Sequence, residues 1–207
     1  MAIIARVVGA AVACLAAVLN YVTAVFLTAP LKASLQHLEE TELTTLSGEK
    51  KSFKAKSLWA DSGAVIMAEA AELSSLKPQL DELGVSLYAV VKEDVGTEIQ
   101  NFKPYFSGEV FLDAKRRFYG PRERSMGLLA FLRVGVWANG FRAFRNGFMG
   151  NVFGEGFILG GVYVLGPGQQ GIMLEHREIE FGDKVNILDV LKAARRIPKE
   201  LVSLEKR

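Results

Sequence analysis

Ala64-Val65-Ile66-Met67-Ala68 passes straight into Glu69-Ala70-Ala71-Glu72-Leu73, and the reading of this junction decides the fold. Ala64 to Met67 is a short apolar run of the kind that forms a strand buried on both faces. From Glu69 the period changes. Ala70, Leu73, Leu76, Leu80 and Leu83 recur at helical spacing, and Gly84 stops the helix. Val85 to Val91 is apolar and β-branched again, a second buried strand. Strand, helix and strand make a βαβ unit, whose crossover is right-handed. The turn between the first strand and the helix is nearly absent, although such connections ordinarily take about 2–6 residues. Either the helix loses its first turn or the strand shortens.

Working outward, Asp94 caps a short helix through Phe102, and Glu109 to Leu112 is a third strand with Asp113 starting its turn. Ile158 to Leu165 and Gly171 to His176 form a hairpin about Gly166-Pro167-Gly168-Gln169-Gln170. Asp183 to Arg196 closes the chain as a helix with Val185, Leu188, Leu191 and Ala194 inward, ended by Pro198. Towards the N-terminus, Asp61-Ser62-Gly63 is a turn and Ser57 to Ala60 a short helix. Thr44 to Lys56 is linker and turn, and Pro30 to Leu38 a short helix. A parallel half, an antiparallel hairpin and a last helix give an α/β chain of thioredoxin-like arrangement. Residues 30–207 form that domain, with a helical insertion at about 121–156.

The insertion carries Trp137, Phe141, Phe144 and Phe148 at helical spacing among Arg133, Arg142 and Arg145. Such a stripe either meets a membrane surface or partner, or is core beneath a solvated arginine face. The second reading is the commoner for aromatics at this spacing.

The chain has 207 residues, half of them hydrophobic, a formal net charge of +2, one cysteine and two histidines. Interspersed charges exclude a clustered basic stripe for nucleic acid. One cysteine excludes an internal disulfide and a Cys-rich zinc site, and His37 and His176 alone are too few for a His-based metal site. Gly160-Gly161 and Gly166-Pro167-Gly168 lack the Gly-Lys-Ser/Thr signature and open no helix, so no phosphate cofactor is indicated. Glu175 and His176 have the chemistry of an acid/base pair. As strand neighbours they point to opposite faces, which gives them a structural reading.

Residues 1–29 stand apart. Val7 to Leu27 is almost wholly apolar, broken by Asn20, Tyr21 and Thr23, and is uncharged, preceded by Arg6. At roughly 20 residues it suits a membrane anchor, a secretory signal peptide or a helix packed on the domain. Cys14 lies inside it, either as a small apolar residue, whose buried thiol would be inert, or as a lipidation site if it nears the cytosolic interface, the first being the commoner case.

Several longer strings resemble a known family. They are Leu87-Tyr88-Ala89-Val90-Val91-Lys92-Glu93, Gly108-Glu109-Val110-Phe111-Leu112-Asp113, Phe118-Tyr119-Gly120-Pro121, Gly156-Phe157-Ile158-Leu159-Gly160-Gly161-Val162, Leu174-Glu175-His176-Arg177-Glu178 and Phe181-Gly182-Asp183-Lys184-Val185-Asn186. Together they resemble the peroxiredoxin-like 2 family from about Pro30 onward, and the N-terminal apolar run suits its A-type branch. The resemblance implies a peroxiredoxin-like thioredoxin fold and an antioxidant, redox-regulatory role. It also implies restraint of inflammatory and osteoclast signalling, a cytoplasmic or secreted location, and a thioredoxin or glutathione reducing system as partner of the intact family member.

The family's Cys-x-x-Cys pair follows the first core strand. Here it is missing between Ala68 and Glu69, so the resemblance supplies no catalytic residue. Thiol redox chemistry needs a stabilised thiolate and a resolving thiol, and residues 30–207 contain no cysteine. The expected chain is therefore redox-inactive. Two alternatives stand beside that reading: a non-enzymatic binding module on a thioredoxin fold, and a prostaglandin-reducing relative, which would need the same cysteines.

Overall fold

The computed structural model describes residues 2–26, 30–68, 71–94, 99, 106–125, 141, 145, 158–180 and 183–197. They fall into two compact units.

The larger unit takes in Leu31–Glu123, Gly160–Glu178 and Lys184–Arg207. It is built on a seven-stranded sheet of β1 (Glu42–Thr45), β2 (Ser52–Lys54), β3 (Ala64–Ala68), β4 (Ser86–Val91), β5 (Glu109–Leu112), β6 (Gly161–Leu165) and β7 (Ile172–Arg177). The order across the sheet is β2-β1-β5-β4-β3-β6-β7. β3, β4 and β5 are parallel neighbours, while β6 runs antiparallel to β3, with Ala68 opposite Gly161. All five residues of β3 are buried, as a central strand covered on both faces requires.

Alternation along the strands divides the core in two. On one face Val65, Met67, Leu87, Ala89, Val110, Val162 and Val164 meet Leu73, Leu76, Leu80, Val190, Leu191, Ala194 and Ile197. On the other, Phe111 contacts Phe53 and Tyr88 at ring-centroid distances of 5.1 and 5.7 Å. Phe118 packs edge-on against Tyr163 at 5.8 Å.

At the junction after Ala68 the helix yields, not the strand. β3 keeps its pairing to Ala68, whereas Ala71–Leu76 is 3₁₀ and only Lys77–Glu82 (α3) is α-helical. Pro78 gives the reason. It has no N–H for an α-helical bond to residue 74 and is tolerated only in a first turn, where α3 places it. Glu69 and Ala70 lie outside the described residues.

Other boundaries differ too. The expected linker at Thr44 to Lys56 holds the β1–β2 hairpin, with Glu42 opposite Lys54. The helix after Pro30 is only Leu35–Glu39 (α2), its N-terminus capped by the Ser34 hydroxyl, which accepts from the His37 N–H. The turn before Trp59 is a 3₁₀ segment at Ala55–Leu58. The closing helix is Ile187–Ala194 (α4). Leu188, expected inward, is 70% exposed, while Val190 is fully buried. The helix through Phe102 lies outside the described residues except Ile99.

The smaller unit comprises Met1–Pro30, Arg124–Leu159 and Ile179–Asp183. It contains α1 (Ala2–Phe26) and an antiparallel bridge between Ser125 and Ile158. Ile158 is therefore not part of β6. Of the expected insertion at about 121–156, residues 121–125, Phe141 and Arg145 are described, and of its aromatic and arginine stripe Phe141 and Arg145. Both are helical and exposed, so Phe141 is not core. Among the described residues no helix is long and apolar enough to cross a membrane.

Candidate functional site

Open α/β sheets place their sites beyond the carboxyl ends of the parallel strands. Here that rim is formed by Ala68 on β3, Lys92 after β4 and Asp113 after β5. The Asp113 N–H donates to the Val91 carbonyl at 2.8 Å and locks two of the ends together. Gly160 passes so close to β3 that a Cβ there would lie 2.3 Å from the Ala68 carbonyl oxygen. A side chain at this position would separate the two backbones.

The rim carries buried polar groups. Asp113 is completely buried, and its Oδ2 accepts from the Phe118 N–H at 2.8 Å. This closes a tight turn in which Arg116 takes a left-handed conformation, φ 55°. Burial raises the Asp113 carboxyl above its ordinary value. The backbone N–H groups of Phe118, Arg117 and Arg116 oppose the shift less strongly.

Arg177, at the end of β7, clasps that turn. Its Nη1 donates to the Phe118 carbonyl at 2.8 Å and to the Tyr163 hydroxyl at 2.6 Å, and its Nη2 donates to the Tyr119 carbonyl. The fit needs a glycine at 120, where φ is 108° and a Cβ would sit 2.6 Å from Nη2. Burial pushes the Tyr163 phenol up to about 12, more than the neighbouring Arg177 charge lowers it. Tyr163 is therefore a neutral hydrogen-bonding group. Lys92 is buried with its Nζ 5.6 Å from the Tyr119 ring centroid.

These groups hold the turn at 116–120 against the strand ends, and each cation is engaged with protein. Among the described residues the rim carries no thiol. The chain's one thiol, Cys14, belongs to α1 and is exposed. Among the described residues no three metal-ligating side chains come together.

Glu175 and His176 are set as strand neighbours must be. Glu175 lies across from Tyr163, and His176 across from Val162 on the opposite face. The Glu175 carboxylate is used in structure, accepting from the Ala33 N–H at 3.0 and 3.2 Å.

Two shallow depressions lie elsewhere. One of about 390 Å³ opens at the amino ends of β4 and β5, beside Ser86 and Glu109. The other, of about 270 Å³, runs beside Lys32, Ala33 and the first half of β7.

The Arg177 clasp was not legible as a site. It joins residues 58 and 59 positions apart, and an arginine ending an alternating strand carries no local signal of burial.

The profile of the AhpC/TSA antioxidant enzyme family matches residues 72–180. Similar proteins include Peroxiredoxin-like 2A of Homo sapiens, 57% identical over 196 residues, covering 89% of this chain and 86% of that one. The Gallus gallus protein of the same name is 60% identical over 186 residues, covering 84% and 83%. The Danio rerio protein is 56% identical over 203 residues, covering 93% and 96%. Among solved structures, the Xanthomonas campestris bacterioferritin comigratory protein aligns with a TM-score of 0.47 at 17% identity, over 81% of this chain and 98% of that one.

Proposed function

The chain belongs to the peroxiredoxin-like 2 family of AhpC/TSA antioxidant proteins, and we propose that it is a member of this redox-type family without thiol turnover of its own. The observation that carries the proposal is the absence of any cysteine from residues 30–207. In thiol peroxidase chemistry a thiolate attacks the peroxide O–O bond, becomes a sulfenic acid and releases water or an alcohol. A second thiol then forms the disulfide, which an external dithiol reduces. The larger unit supplies neither sulfur. What it keeps is the scaffold, with β3 paired along its whole length and the clasped 116–120 turn in place. On this reading the chain acts by contact, and a restraint on inflammatory or osteoclast signalling would pass through bound partners and not through electrons.

The test compares peroxide consumption, coupled to a thioredoxin reducing system, in two full-length proteins. Both carry Cys14→Ser, and one also carries a Cys-x-x-Cys loop between Ala68 and Glu69. Turnover is expected only with the loop. Equal turnover without it would overturn the proposal.

A further inference from the structure

We infer that α1 is a lipid-inserting element whose surroundings are acyl chains. This stands independently of the redox reading. Every described side chain from Arg6 to Val22 is exposed except Ala16 and Leu19, which are half-buried. Val12 and Leu15 are each 61% exposed and Val18 57%. An α-helix advances 100° per residue, so the consecutive exposed residues Val7, Val8, Gly9 and Ala10 look out in every direction, and Ala11 to Cys14 repeat the circuit. None of them is charged.

A helix that docks in a protein groove buries one stripe and turns a polar face to water. Here there is no polar face from Val7 to Leu19, so a one-sided partner would still leave apolar surface wet. Only an environment apolar on all sides satisfies the helix. Its flanks match a lipid interface, with Arg6 before the stretch, Tyr21 74% exposed near its end, and Lys32 beyond. The described apolar stretch from Val7 to Leu19 is about 20 Å long, against a hydrocarbon core of about 30 Å. It supports insertion and does not by itself span the core.

The single thiol supplies a built-in reporter, because Cys14 is exposed midway along the stretch. The full chain would be labelled with a membrane-impermeant maleimide, with and without neutral phosphatidylcholine vesicles. The same samples would be floated on a density gradient. We expect co-flotation and at least a tenfold drop in the Cys14 labelling rate. The full-length variant carrying Val12→Lys and Leu15→Lys should stay at the bottom of the gradient and label at the lipid-free rate. Its unchanged circular dichroism would show that the sheet is intact.

An unchanged labelling rate in the parent would overturn the inference. So would flotation of the double-lysine variant, or flotation that requires anionic lipid and is abolished by salt, since these locate the contact in surface charge and not in α1.

Discussion

Replacing Tyr163 by Phe should reverse the order of stability between parent and variant as the pH is raised. The phenol is fully buried and receives the Arg177 Nη1 donor at 2.6 Å. Removing it at pH 7 forfeits one hydrogen bond from a charged donor, about 1.5 kcal/mol, and leaves the ring packing against Phe118 in place. Burial holds the phenol at about 12 in the folded protein against an ordinary value of 10.0. An acid whose folded value is raised stabilises the fold fully below its unfolded value. It loses that contribution as pH climbs through the folded value, because the unfolded chain ionises first. An interval of two pH units at about 1.36 kcal/mol each amounts to about 2.7 kcal/mol in all, of which about 1.4 kcal/mol is lost from the parent by pH 11 and about 2.3 kcal/mol by pH 12. The variant has no such loss. The parent should therefore be more stable by about 1.5 kcal/mol at pH 7, equal near pH 11 and less stable by about 1 kcal/mol at pH 12. Urea titrations followed by far-ultraviolet circular dichroism at each pH measure the difference, and the remaining tyrosines cancel between the two proteins. A difference that stays constant from pH 9 to 12 would refute the desolvated environment assigned to Tyr163.

Gly160→Ala forces a Cβ to within 2.3 Å of the Ala68 carbonyl oxygen and should destabilise by about 3 kcal/mol. Gly48→Ala meets open space at φ 72° and should cost about 1 kcal/mol. Urea midpoints rank the two, and equal effects would contradict the close approach of Gly160 to β3. Asn186→Ala removes the side-chain oxygen that accepts the Leu188 N–H at 3.0 Å, so α4 should fray and the thermal midpoint fall with a loss of about 1 kcal/mol. Asp113→Asn tests the buried carboxyl. Its raised value means that its contribution is complete below the ordinary 3.8 and declines as pH rises through the folded value. The stability of the parent relative to the variant should therefore fall from pH 3 to pH 7, and a rise would show the carboxylate to be stabilised by its surroundings.

The central strands were legible because burial on both faces leaves few sequences other than runs such as Ala64–Met67 and Val85–Val91. The edge was not. Leu43, Phe53 and their neighbours alternate with Glu42, Thr44, Ser52 and Lys54, and so short and wet a hairpin looks like a loop until its partner β5 is in place. In α4 the apolar residues support two overlapping stripes. Val185, Leu188 and Leu191 make one, and Val190, Leu191, Ala194 and Ile197 the other. The choice between them is made by the sheet and not by the helix. The loss of α-helix before Lys77 was written in Pro78, but the periodicity of Leu73, Leu76 and Leu80 concealed it. A 3₁₀ turn followed by an α-turn still brings all three leucines to the same core. The Arg177 clasp belongs to none of these patterns, since its geometry exists only once β6, β7 and the 116–120 turn have met.

β3 holds its place through partners on both sides, five from β4 and five from β6, down to its last residue. The register of the sheet is thus complete before the chain leaves Ala68. The junction beyond that residue is a graft point. We expect residues inserted between Ala68 and the 3₁₀ turn to leave the β3 ladder unshifted, which unchanged amide protection of β3 in such a variant would check. The sheet's architecture and whatever segment follows Ala68 are thus specified separately: the rungs of β3 are set by β4 and β6, and the chain beyond them contributes none of those rungs.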